Sequence, residues 1–273
     1  MRKVIAALDT SMAARPVLLS TLALGRMLDA EVEALHVRED SDRTPRGAAA
    51  AEQVPLRIAH GPVGAALVEA AEAEDVLALV VGARGSPLRH RAPLGSTALA
   101  AATSVTKPVL VVPPEARRPA ELQRVLVPLE GRGRHVPRRI IELAQATELD
   151  LVVLHVMQEE SLPPFTDQPQ HEQPARVEEF LRRYCPWGID SVRLEVRLGR
   201  PDELVPLVAE QEDVDVIVLG WAQDLAPDRA PIVRAVLGRA HVPVLLVPVQ
   251  TATRAASPPT REESWSSLQS SPV

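Results

Sequence analysis

Gly82, Gly85, Gly95 and Ser96 follow the spacing G-x2-G-x9-G-S, and the residues around them are suited to holding an anion. Val76 to Val81 reads as an aliphatic strand ahead of the first glycine, and Ser96 through Ala102 as the start of a helix after the last. Glycines at 82 and 85 allow positive φ and let a ligand approach backbone that carries no Cβ. Ser96 and Thr97 suit a helix N-cap, where free N–H groups attract anions. Between glycines and helix lie Arg84, Arg89 and Arg91, with His90 and no acid. A strand, a bare basic loop and a helix N-terminus together make a candidate phosphate cradle. Glycine spacing alone favours a plainer reading, a surface loop closed by an ordinary helix cap.

The elements that must position these residues come from an aliphatic chain. Of its 273 residues 46% are hydrophobic and only 2% aromatic, so the core must be Val, Leu, Ile and Ala. That suits α/β layers, whose buried parallel strands read as continuous aliphatic runs. The length allows two domains of about 100–150 residues each. A net charge of −6 argues against general nucleic-acid binding. A single cysteine, Cys185, excludes an internal disulfide framework and fits a reducing compartment. Arg2-Lys3 before Val4 to Leu8 has the look of a signal peptide, but Asp9 ends the apolar run after five residues. No run approaches a membrane span. The expectation is a soluble, cytoplasmic protein with no membrane partner.

The chain reads strand, helix, strand from Lys3, with strands at Lys3 to Leu8, Val32 to Val37, Val54 to Ala59, Val76 to Val81 and Pro108 to Val112. Residues 38–53 hold a short helix or a loop. The pattern then repeats. Glu212 to Gly220 echoes Glu74 to Gly82 at an offset of 138 (220 − 82), Gly199-Arg200-Pro201 echoes Gly61-Pro62, and Leu154-His155-Val156 echoes Leu35-His36-Val37. The divisions are 1–113, a Pro-rich linker at 114–120, 121–249, and a Ser-, Thr- and Pro-rich tail at 250–273 expected to be disordered.

The glycine-serine spacing between strand and helix resembles the nucleotide-binding motif of the universal stress protein family. So do the first strand ending in Asp9-Thr10-Ser11, the Leu35-His36-Val37 second strand and the PVLVVP last strand. The resemblance covers both copies, about residues 1–249, as a tandem two-domain member. It implies two Rossmann-like domains of the adenine nucleotide alpha hydrolase-like type, with parallel five-stranded sheets of order 3-2-1-4-5. It also implies ATP at the strand C-termini, with Mg2+ left open as its counter-ion. Carried over residue by residue, it implies that Asp9 contacts the nucleoside, that the Val37 backbone lies beside the base, that Gly82, Gly85 and Gly95 line the phosphates, and that Ser96 supplies a hydroxyl. Thr10 falls within the same strand-end motif, and Thr97 and Arg84 join from position and charge. The segment 38–53, on the adenine side, is shorter than usual. The family also implies that the two last strands pair, so that one chain forms a pseudo-dimer; a further homodimer is left open.

Plainer readings stand beside these. Asp9 and Ser96 can serve as helix caps, and Val37 as core. His36 and His155, in equivalent strands, read as a structural repeat rather than a metal pair. Gly131-Arg132-Gly133 has Val136 at the last position of G-x-G-x-x-G, so that fingerprint fails. The second copy reads as degenerate. Glu130 replaces the aspartate, Trp221-Ala222-Gln223 follows Gly220, Ala230-Pro231 replaces Gly95-Ser96, and Asp224 and Asp228 stand where the first loop has arginines. One nucleotide per chain is expected. Three functional classes follow, in order: an ATP-binding stress or signalling protein, a nucleotide-free interaction module, and a slow ATPase. With no nucleophile–base pair visible, catalysis is not assigned.

Overall fold

The computed structural model describes residues 1–11, 13–38, 45–84, 94–116, 121–129, 149–157, 192–225 and 230–249. The first half runs β1 (Lys3–Ala7), α1 (Ala14–Met27), β2 (Glu31–Arg38), α2 (Arg46–Ala51), β3 (Leu56–His60), α3 (Val63–Glu72), β4 (Val76–Gly82), α4 (Ser96–Ser104) and β5 (Val109–Val112). The second half contributes β6 (Arg124–Leu129), β7 (Asp150–Met157), β8 (Val192–Leu198), α5 (Pro201–Gln211), β9 (Val216–Trp221), α6 (Pro231–Arg239) and β10 (Val244–Pro248). Gly85, Cys185, Glu130, the 131–136 glycines and the tail lie outside the described residues, and the linker is described only to 116.

The sequence predicts two five-stranded parallel sheets whose last strands pair. The structure joins all ten strands through that pair in one sheet of order β3-β2-β1-β4-β5-β10-β9-β6-β7-β8. Each half keeps the doubly wound order with parallel neighbours, and the sheet is mixed because β5 and β10 run antiparallel. The cause is the composition of those two strands. Val109 to Val112 are all buried, and an aliphatic edge with unpaired N–H and C=O groups is strongly driven to find a partner. The register Val244↔Val111, Leu245↔Leu110, Leu246↔Val109 sets a pseudo-two-fold at the Leu110–Leu245 pair. The expected pairing of last strands is thus observed.

Both faces of the sheet are covered, and each core runs through both halves. One joins Leu79 and Val111 to Ile217 and Leu246; the other joins Val80 and Leu110 to Val125 and Val218. Alternate residues of one strand feed opposite cores, which is why these strands read as unbroken aliphatic runs. The repeat also appears in the backbone. Gly61 (φ 115°) and Gly199 (φ 141°), 138 residues apart, hold the left-handed turns that lead into α3 and α5.

At the N-terminal ends of the strands Lys3 Nζ meets Glu33 at 3.1 Å and Asp75 at 3.2 Å, and Arg57 Nε meets Glu33 at 2.6 Å. Burial pushes the Glu33 carboxyl up, but hydrogen bonds from Arg57 and Lys3 outweigh it and hold it below its ordinary value. A carboxylate held down stabilises the fold above its unfolded value, and that stability is lost as pH falls through the folded one. As pH drops from about 5 to 3, wild-type stability should therefore fall more steeply than that of Glu33→Gln. Chemical denaturation across that range checks this; parallel curves would contradict it.

Candidate functional site

The C-terminal ends of β1, β2 and β4 open onto a cleft of about 750 Å³, closed by the N-termini of α1, α3 and α4. This is where open α/β sheets hold ligands, beside the point at which strand order reverses. Eight of the nine residues singled out in the sequence line it: Asp9, Thr10, Val37, Gly82, Arg84, Gly95, Ser96 and Thr97. The ninth, Gly85, lies outside the described residues, as do Arg89, His90 and Arg91.

At the β1 end the chain turns through Asp9-Thr10-Ser11. Asp9 Oδ1 accepts from the Ser11 amide at 3.0 Å and from its hydroxyl at 2.6 Å, and Ser11 Oγ accepts from the Ala13 amide at 3.1 Å. Asp9 thus shapes an Asx turn ahead of α1 but does not cap the helix, whose N-cap is Ala13. Asp9 Oδ2 makes no hydrogen bond among the described residues. On β2, Ala7 pairs with Leu35, and the Leu35 carbonyl accepts from the Leu8 amide at 2.8 Å. Alternate residues of a strand direct N–H and C=O to the same neighbour, so Val37 faces the side of Leu35, beyond the end of β1. Val37 thus turns its backbone donor and acceptor to the cleft that it lines.

The sequence assigns His36 only a structural role, yet it lines the same cleft. Its ring is 6% exposed, and Nδ1 lies 2.8 Å from the Leu8 carbonyl. A carbonyl only accepts, so Nδ1 carries the hydrogen and Nε2 is the ring nitrogen turned to the cleft. Nε2 is buried without a partner among the described residues. The signal in sequence is slight: a polar ring in the middle of an aliphatic strand, beside Val37.

The α4 end has the opposite character. The sequence suggests Ser96 as N-cap, but the cap is Gly95 (φ −70°, ψ 163°), and no side chain hydrogen-bonds the helix start. Ser96 and Thr97 are the first helical residues, both exposed, so two hydroxyls and the first-turn amides are left to the cleft. The helix dipole adds positive potential there. Arg84 lies beside the helix cap, its Cα 3.7 Å from a Cβ built on Gly95, and its Nε is buried without a partner among the described residues. Nor is Gly82 in the left-handed region the sequence suggests, since Gly61 and Gly199 are the described glycines with positive φ. Its value to the site is the missing side chain. A Cβ there would meet Val17 Cγ2 at 3.4 Å and Ala13 Cβ at 3.7 Å, both from cleft-lining residues.

The second half has the same frame with different contents. Trp221, equivalent to Ala83 (221 − 83 = 138), is 4% exposed and part of the core that holds Val233 and Val236. Helix α6 starts at Pro231 after Ala230, so its first residue has no N–H to offer. Glu130 and Asp228 lie outside the described residues.

The sequence pattern of the universal stress protein family matches residues 45–113 and again 121–248. A universal stress protein from Archaeoglobus fulgidus DSM 4304 shares the fold at a TM-score of 0.64 and 16% identity, over 89% of this chain and 97% of that one. A functionally unknown protein from Pseudomonas aeruginosa PAO1 does so at 0.64 and 15%, over 91% and 92%. No curated protein matches the chain. Among the described residues, no helix is long and apolar enough to cross a membrane. With its pattern found twice, and the fold shared along nearly the whole length, the chain belongs to the universal stress protein family.

Proposed function

We propose that the protein binds ATP in the first of two domains, 1–113 and 121–249, one nucleotide per chain, and acts as a nucleotide-dependent stress-response or signalling protein. The observation that carries this is the polarity of the cleft. At one end lie the Asp9 carboxylate, an acceptor, and the ring nitrogen His36 Nε2. Donors and positive potential gather at the other, in Arg84, the α4 amides, Ser96 and Thr97. A nucleoside offers hydroxyl and amine donors, while phosphates offer acceptors and negative charge, so a nucleotide satisfies both ends in one orientation. The apolar wall of Leu35, Val37, Val63 and Leu67 suits a base, and the volume lies within the roughly 300–1,000 Å³ usual for such sites. Arg84 Nε and His36 Nε2, buried without partners among the described residues, favour a ligand, because an unsatisfied polar atom costs about 1–3 kcal/mol. No Mg2+ ligand is assigned, as Asp9 is the one carboxylate lining the cleft among the described residues.

Calorimetry of the intact chain with ATP is expected to give a stoichiometry near one. A value near two would assign a site to the second domain despite Trp221 and Pro231, and no binding heat would refute the reading.

A further inference from the structure

The loop after β9 reaches out of its own half. Gln223 stands where the repeat has Gly85 in the first half (223 − 85 = 138). Its Nε2 donates to the Ala102 carbonyl at 3.3 Å and to the Val105 carbonyl at 2.7 Å. Those carbonyls belong to the last turn and C-cap of α4, the nine-residue helix whose other end supplies the donors of the cleft. Helix C-terminal carbonyls have no intrahelical partner, so a side-chain amide there satisfies groups that would otherwise need water. Gln223 does this from a left-handed φ of 59°, a conformation that strains a residue with a Cβ. The buried side of α4, Ala98, Ala101, Ala102 and Val105, shares a core with Val233 and Val236 of α6. The helix packs on α3, β4 and β5 of its own half, and the second half brackets its far end through Gln223. Its counterpart, Gly85, has no side chain with which to return the contact.

We propose that Gln223 is a positioning residue for the phosphate end of the cleft, an inference that rests on reading that cleft as a nucleotide site. A nine-residue helix is about 13 Å long at 1.5 Å per residue and moves as a rod, so its C-terminal anchor also fixes its N-terminal amides. Hydrogen bonds weaken steeply with misalignment, so losing the anchor loosens the grip on phosphate and leaves the nucleoside end untouched.

The test uses the intact chain, with ATP and adenosine titrated separately into wild type, Gln223→Ala and Gln223→Lys. All three residues carry a Cβ, so the backbone strain at this position is held constant. Gln223→Ala should weaken ATP by about two- to tenfold, the equivalent of one net hydrogen bond, and leave adenosine unchanged. Gln223→Lys, whose ammonium can donate to the same carbonyls at a helix C-terminus, should recover most of the loss. ATP and adenosine falling together, wild-type ATP affinity in Gln223→Ala, or no recovery with lysine would each overturn the proposal. Amide hydrogen exchange without nucleotide tests the bracket independently, and residues 96–104 should exchange faster in Gln223→Ala. A wild-type chain that binds no ATP defeats the reading of the cleft, whereas unaltered exchange across α4 defeats the bracket itself.

Discussion

Gly82→Val should cost at least about a hundredfold in ATP affinity, roughly 2.7 kcal/mol, in a chain that still folds. Gly82 does not have positive φ, and a Cβ built on it makes only ordinary contacts, 3.4 Å to Val17 Cγ2 and 3.7 Å to Ala13 Cβ. Gly95 is similar, with its nearest neighbour, the Ala83 carbonyl, at 3.5 Å. Neither backbone conformation nor packing demands glycine at these positions. A bare backbone facing a polar cleft is explained by something that approaches it closely, and the branched methyls of valine would stand in that path. Gly82→Ala, with one methyl, should lose less. Calorimetry gives the affinities and circular dichroism the fold. A folded Gly82→Val chain with wild-type affinity would remove the phosphate end from this cleft.

Leu110→Ala should destabilise the whole chain by about 2–5 kcal/mol and lower a single melting transition, by about 2–4 °C for each kcal/mol. Leu110 is 1% exposed, faces Leu245 at the pseudo-two-fold, and belongs to a core that also contains Val125, Val216 and Val218 of the second half. Truncating it leaves a cavity where the two halves meet. With both cores continuous across that seam, neither half can keep its packing once the other has lost it. Calorimetric and spectroscopic melts should coincide in wild type and variant alike; two resolved transitions would show the halves to be energetically separate. For the same reason a fragment covering only 121–249 is a poor test of the second half, because it would expose β10 and half of each core.

Much of this was legible in the chain. Aliphatic runs such as Val76 to Val81 mark buried strands because few other places accept six consecutive aliphatic side chains. The 138-residue echo from Gly82 to Gly220 announces the duplication, and strand-end chemistry collects eight cleft residues. What stayed hidden depends on atoms far apart in sequence. The free Nε2 of His36 follows from its contact with a carbonyl 28 residues away, and the reach of Gln223 spans 118 residues to Val105. Ser96 and Gly95 are equally plausible caps until the dihedrals choose between them. The pairing of β5 with β10 is expected from the family resemblance, but its register, centred on Leu110 and Leu245, is carried by neither strand alone.

That register has a consequence for dilution. Two separate chains paired edge to edge come apart once their concentration falls below the dissociation constant of the pair. Here β5 and β10 are tethered by their own polypeptide, so each sees the other at a fixed effective concentration however little protein is present. The seam, and with it the support behind α4, persists at any abundance. Occupancy of the cleft is then governed by the level of its ligand and not by the copy number of the protein.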